Sequence, residues 1–78
     1  MWYVYILKCV DETYYTGCTG NLKERLKYHE SGKVSYTSTR LPIELVSYFS
    51  FSSKYKAFDF EKYLKSGSGK AFAKKRLL

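Results

Sequence analysis

Two tyrosines, an arginine, a histidine and a glutamate, set at intervals along this 78-residue chain, carry the side chains suited to acid–base and phosphate chemistry. Tyr5 and Tyr15 are ten positions apart, Arg25 follows ten later, His29 lies four beyond it, and Glu61 stands far downstream. Hydrolysis of a phosphodiester needs a positioned, deprotonated water, neutralised charge at phosphorus and help for the departing oxygen. Arg25 offers a planar fork matched to phosphate oxygens. A carboxylate such as Glu61 is the ligand type that a hard cation accepts, one that keeps several waters and takes one or two protein carboxylates. A phenol titrates near about 10, so a tyrosine acting as a base near neutrality needs cations beside it. His29 would orient or activate the water or the tyrosine. Each residue also has an ordinary reading. Strand tyrosines are mostly core or cross-strand pairs, Arg25 and Glu61 are ordinarily solvated on helices, and a histidine near a helix C-terminus interacts with the helix dipole.

Trp2 to Cys9 and Thr13 to Thr19 are rich in aromatic and β-branched residues, which predicts two strands around a short polar turn. Asp11-Glu12-Thr13 contains neither glycine nor asparagine, which disfavours a two-residue primed turn. The distinction decides the chemistry. Side chains alternate faces along a strand, so a two-residue turn at Asp11-Glu12 would separate Tyr5 from Tyr15, whereas a three-residue loop or a bulge brings them to one face. Asn21 caps a predicted helix to about Ser31, stopping at Gly32, with Leu22 and Leu26 facing the core and Arg25 and His29 on a neighbouring stripe. Residues 33–42 read as a polar loop ending at Pro42, and Ile43 to Phe51 as a third strand. Ser52 or Ser53 caps a second long helix to about Ser66, where Ala57, Phe60 and Leu64 form the apolar stripe and Glu61 borders it. Gly67 ends that helix, and Ser68 caps a short final one whose Phe72 and Leu77 pack. The pattern predicts one small α/β (α+β) domain over residues 1–78, a three-stranded antiparallel sheet flanked by three to four helices. At this size a large internal cavity is not expected.

The net charge of +7 is the signature of a polyanion binder. Residues 1–39 carry five basic and four acidic side chains, against nine and three in residues 40–78, so the excess lies in the second half. Lys70, Lys74, Lys75 and Arg76 crowd its end, placed either to track phosphates or to act as a solubilising tail. No apolar run approaches about 18 residues and the N-terminus lacks signal-peptide features, so no membrane association is expected and the protein is expected to be cytoplasmic. Cys9 and Cys18 lack the spacing of a zinc site with His29 and are expected to be reduced thiols. If the strands pair around Asp11-Glu12-Thr13, Cys9 lies opposite a residue near Tyr15, not Cys18.

Tyr3-Val4-Tyr5, Tyr15-Thr16-Gly17, Asn21-Leu22, Arg25, His29, Tyr36-Thr37, Arg40-Leu41-Pro42 and Glu61, taken in order, resemble the GIY-YIG nuclease domain over nearly the whole chain. The likeness is greatest to small stand-alone members and to the nuclease domain of the bacterial excision-repair excinuclease. Tyr3 replaces the glycine of the first triplet and Thr16 the isoleucine of the second. The resemblance implies a metal-dependent DNA endonuclease of repair or recombination, cytoplasmic and nucleoid-associated, acting on branched, flap or single-stranded DNA or guided by a protein partner. It implies Tyr5 as activator of the water, with Tyr15 hydrogen-bonded to it or to the phosphate, and Arg25, His29 and Glu61 as further catalytic residues. One ion, Mg²⁺ or Mn²⁺, would sit on Glu61. Gly17 would permit close approach of chain or ligand. Arg40 would meet a phosphate, and Tyr36 would be a stacking platform or a lid on the core. Two departures stand out: Ala73 where many members carry asparagine, and Cys18 where excision-repair relatives carry lysine. The competing readings on the same scaffold are a non-catalytic nucleic-acid-binding module and a partner-dependent subunit.

Overall fold

The first hairpin settles which side chains can meet. In the computed structural model, which covers residues 1–78, β1 (Trp2–Lys8) pairs antiparallel with β2 (Tyr14–Thr19). The loop between them has three residues, Val10-Asp11-Glu12, closed by the Cys9 N–H donating to the Thr13 carbonyl at 2.8 Å and the Glu12 N–H to the Cys9 carbonyl at 3.0 Å. Glu12 takes the left-handed conformation that such a loop requires, with φ 67°. Asp11 stabilises the bend by accepting from both the N–H and the hydroxyl of Thr13. The expected odd-length loop is therefore present, one residue earlier than the Asp11–Thr13 placement. The resulting register sets Gly17 opposite Tyr5 and Tyr15 opposite Leu7, so Tyr5 and Tyr15 share a face. Cys18 lies opposite Val4, while Cys9 meets Thr13; both thiols are free.

The other edge of β1 carries β3 (Glu44–Phe51), also antiparallel, giving the order β2-β1-β3 with a bulge between Ile6 and Leu7. Helices α3 (Lys54–Lys65) and α4 (Gly67–Arg76) cover one face of the sheet, where Val4 and Ile6 pack with Ala57, Leu64 and Ala73. Helices α1 (Leu22–Glu30) and α2 (Ser35–Ser38) accompany the Tyr5 face. Asn21 caps α1 as expected, accepting from the Glu24 N–H and donating to its carboxylate in a reciprocal box.

Three expectations need correction. The stretch 33–42 is not all loop, because Ser35–Ser38 forms a single helical turn. In α1 the fully buried residue is His29, and Leu22 and Leu26 are only half-buried. The final helix is capped by Ser66 instead of Ser68, and Gly67 opens it instead of ending α3. The reason is tertiary. A Cβ on Gly69 would collide with the Tyr63 carbonyl, so glycine there lets α4 turn tightly against the end of α3. That placement puts Ala73 in the core and leaves Phe72 on the surface beside Tyr63.

Candidate active site

The Tyr5 ring is completely buried, and its hydroxyl lies over Gly17 across the hairpin. No other residue type fits opposite, because any Cβ at Gly17 would occupy the space of the Tyr5 oxygen. Helix α1 supplies two partners one turn apart. His29 Nε2 lies 2.9 Å from that oxygen, and Arg25 Nε donates to it at 3.4 Å. The other imidazole nitrogen, Nδ1, lies 2.8 Å from Oγ1 of Thr37, a fully buried residue of α2.

The proton positions follow from the donors. The Thr37 hydroxyl donates to the Val34 carbonyl at 3.5 Å and so accepts from Nδ1, which leaves Nε2 of the neutral ring to accept the Tyr5 hydrogen, while Arg25, which can only donate, is accepted by the Tyr5 oxygen. The imidazole proton then resides on Nδ1 and is donated to Thr37. Burial pushes the Tyr5 phenol above its usual range, an effect that the hydrogen bond from Arg25 partly offsets. Burial, with the Arg25 charge adding to it, holds His29 below the usual imidazole range. At neutral pH the pair is thus a phenol and a neutral imidazole.

Tyr15 completes the cluster. Its ring meets the His29 ring edge-on at 5.0 Å and lies 6.4 Å from the Tyr5 ring; no hydrogen bond joins the two phenols. Arg25 is held in its charged form first by its hydrogen bond to Tyr5, with Tyr15 adding to the effect. Glu61 approaches from α3, on the opposite face of the sheet. Its charge is felt by Tyr5 and by Cys18, and its carboxylate pairs with Lys65 at 3.0 Å.

The model of the GIY-YIG catalytic domain matches residues 1–76 of the chain. The chain belongs to the GIY-YIG family. A UPF0213 protein of Streptococcus pyogenes serotype M3 is 48% identical over 64 residues, covering 81% of this chain and 70% of the relative. One of Clostridium perfringens is also 48% identical over 64 residues, covering 81% and 69%. The solution NMR structure of a UPF0213 protein from Bacillus halodurans superposes with a TM-score of 0.60 at 40% identity, covering 96% of this chain and 84% of that one.

Within this GIY-YIG fold, Tyr5, Tyr15, Arg25 and His29 gather in one cluster, and Glu61 stands on α3, hydrogen-bonded to none of them, its charge reaching Tyr5. Thr37 has no role readable from the sequence, since a threonine in a polar stretch carries no periodic signal. Arg40 is engaged elsewhere: it donates to Asp11 at 3.0 Å and to the Tyr36 carbonyl, and its guanidinium lies 4.1 Å from the Tyr36 ring centroid. It braces the hairpin tip against α2. Tyr36 packs 5.6 Å from Tyr15 with one edge in solvent. Lys70, Lys74, Lys75 and Arg76 are all exposed on α4. Ala73, at the position where many members carry asparagine, is buried among apolar side chains.

The buried imidazole has a consequence for stability. His29 binds its proton less readily folded than unfolded, so the unfolded chain takes up more protons once the pH falls below about 6.5. Stability is expected to be intact above that value and to decline as the pH falls through the folded-state pKa of His29. Chemical denaturation at pH 7.5 and pH 5 checks this. The acid loss should shrink in His29→Gln and persist in a surface control such as Lys33→Gln.

Proposed function

We propose that the chain is a divalent-metal-dependent endonuclease that hydrolyses DNA phosphodiester bonds in repair or recombination. The observation that carries this reading is the convergence of Arg25 and neutral His29 on one buried tyrosine oxygen. A purely structural tyrosine needs one hydrogen-bond partner; this one has a cationic donor and a proton acceptor aligned through Thr37. In the reaction, the attacking water gives its proton to the Tyr5 oxygen as the Tyr5 proton passes to Nε2 of His29. The water oxygen bonds to phosphorus, the bond to the departing sugar oxygen breaks, and that oxygen takes a proton from solvent. Arg25, whose Nε is held by Tyr5, keeps its remaining N–H groups for the phosphate. Tyr15, half-buried beside them, orients the water or a phosphate oxygen.

Glu61 fits the metal that the family implies. No cluster of three His, Cys, Asp or Glu side chains forms a protein cage. A single half-buried carboxylate suits a hard cation that keeps water and substrate oxygens as its other ligands. Its ion pair with partly exposed Lys65 is worth no more than about 1 kcal/mol, so a dication would displace the ammonium readily. Bound there, the cation would neutralise charge developing on the phosphate.

Tyr5→Phe tests the tyrosine role while keeping the ring in its packing. Cleavage of labelled DNA with Mg²⁺ or Mn²⁺ is expected to slow by about a hundredfold, the low end of what a positioned acid or base contributes. Wild-type rates in this variant would reduce Tyr5 to a packing residue.

A further inference from the structure

The largest concavity of the molecule is an open groove of about 870 Å³ along the free edge of β2. It falls within the range of ligand pockets, about 300 to 1,000 Å³. It is lined by Tyr14, Tyr15 and Tyr36 and by Lys65, Lys70 and Lys74 from the end of α3 and from α4, with Tyr14 on the α3 and α4 side of β2 and Tyr15 on the Tyr5 side; no acidic side chain lines it. The three rings are not equivalent. Tyr15 and Tyr36 pack on His29, on each other and under Arg40. Tyr14 is 40% exposed, with no aromatic neighbour, cation or hydrogen bond on its side chain. Its ring stands free on a groove wall one residue from Tyr15. In the same groove, Lys70 and Lys74 have no carboxylate partner, whereas Lys65 is paired with Glu61.

A free aromatic face in one groove with unpaired ammonium groups suits a flat, apolar ring on a phosphate backbone. We infer that this groove binds an unpaired nucleotide of single-stranded DNA, its base stacked on Tyr14 and its phosphates against Lys70 and Lys74. Duplex bases are already stacked on their neighbours and have no face to offer Tyr14. The inference deepens the nuclease reading and rests on it, because the groove opens beside Tyr15: a strand held there is delivered to the site, and the favoured substrates are flaps and single-stranded junctions. Tyr14 acts here as a positioning and specificity residue.

The test is equilibrium binding in EDTA, where nothing is cut, using single-stranded and duplex DNA carrying 2-aminopurine, an adenine analogue whose fluorescence falls on stacking. Wild type should quench the single strand. Tyr14→Ala should bind it at least about fivefold more weakly, the lower bound for one base–aromatic stack, while Tyr14→Phe should bind and quench as wild type does. Duplex affinity should be the same in all three. Lys70→Ala/Lys74→Ala should lower the salt slope for the single strand by about 1.4, at roughly 0.7 per phosphate contact. Unchanged single-strand binding and quenching in Tyr14→Ala would overturn the inference, as would an equal loss on duplex and single strand. A chain that never cuts DNA still answers this experiment, and cleavage by Glu61 variants answers the other question.

Discussion

Glu61→Gln should abolish metal-dependent DNA cleavage, with the rate falling by about 10³ or more, while the thermal melt stays near that of the wild type. The magnitude follows from the several kcal/mol of charge stabilisation that a bound dication supplies at phosphorus, since each 1.36 kcal/mol or so is tenfold in rate. Folding should tolerate the change because Glu61 has one direct partner, the partly exposed Lys65, and glutamine keeps its size and its polar contacts. DNA affinity in EDTA should hold or rise, because removing a carboxylate from a basic surface lowers repulsion of phosphates. Mn²⁺ titration by calorimetry and single-turnover cleavage measure the two effects separately. Full cleavage by Glu61→Gln would make Glu61 an ion-pair partner of Lys65 and nothing more. Tight binding by a wild type that never cuts would favour a nucleic-acid-binding module.

Gly17→Ala should damage stability and activity together. The added methyl would overlap the Tyr5 oxygen, which has no room to retreat inside a fully buried site held by His29 and Arg25. Overpacking of this kind costs about 1 to 3 kcal/mol. For a domain of this size that is a large share of a total of about 4 to 12 kcal/mol, and each kcal/mol shifts the melting temperature by about 4 to 8 °C. Whatever movement relieves the clash also shifts the Tyr5 oxygen from its partners, so cleavage should fall further than stability requires. Gly20→Ala is the control. Its Cβ would meet the Trp2 ring at 3.7 Å, an ordinary contact, and both melt and rate should change little. Equal behaviour of the two variants would show that Gly17 does not hold the Tyr5 geometry.

The parts of the site legible in the sequence are those governed by short-range rules. The residues around Asp11 and Glu12 disfavoured a two-residue turn, and the three-residue loop that forms puts Tyr5 and Tyr15 on one face. Asn21 and the four-residue spacing of Arg25 and His29 were enough to predict a helix presenting both to the same neighbour. Thr37 was different. It reaches His29 from a four-residue helix, too short to show a hydrophobic period. The contact of Arg40 with Asp11 was not legible either, because it joins residues 29 apart through the folded hairpin. Ser66 and Ser68 are equivalent caps on paper, and the contact of Gly69 with the Tyr63 carbonyl decides between them. Tyr14 read as one more strand aromatic; only the groove it shares with α4 distinguishes it from its neighbours.

Nuclease activity is decided by incubating wild-type protein with end-labelled flap, branched, single-stranded and linear duplex DNA in Mg²⁺ and resolving the products on a denaturing gel. Internal cuts are expected in the flap and single-stranded substrates, absent with EDTA and restored by excess Mn²⁺. Intact DNA throughout, at protein concentrations that bind every substrate, would contradict the endonuclease reading.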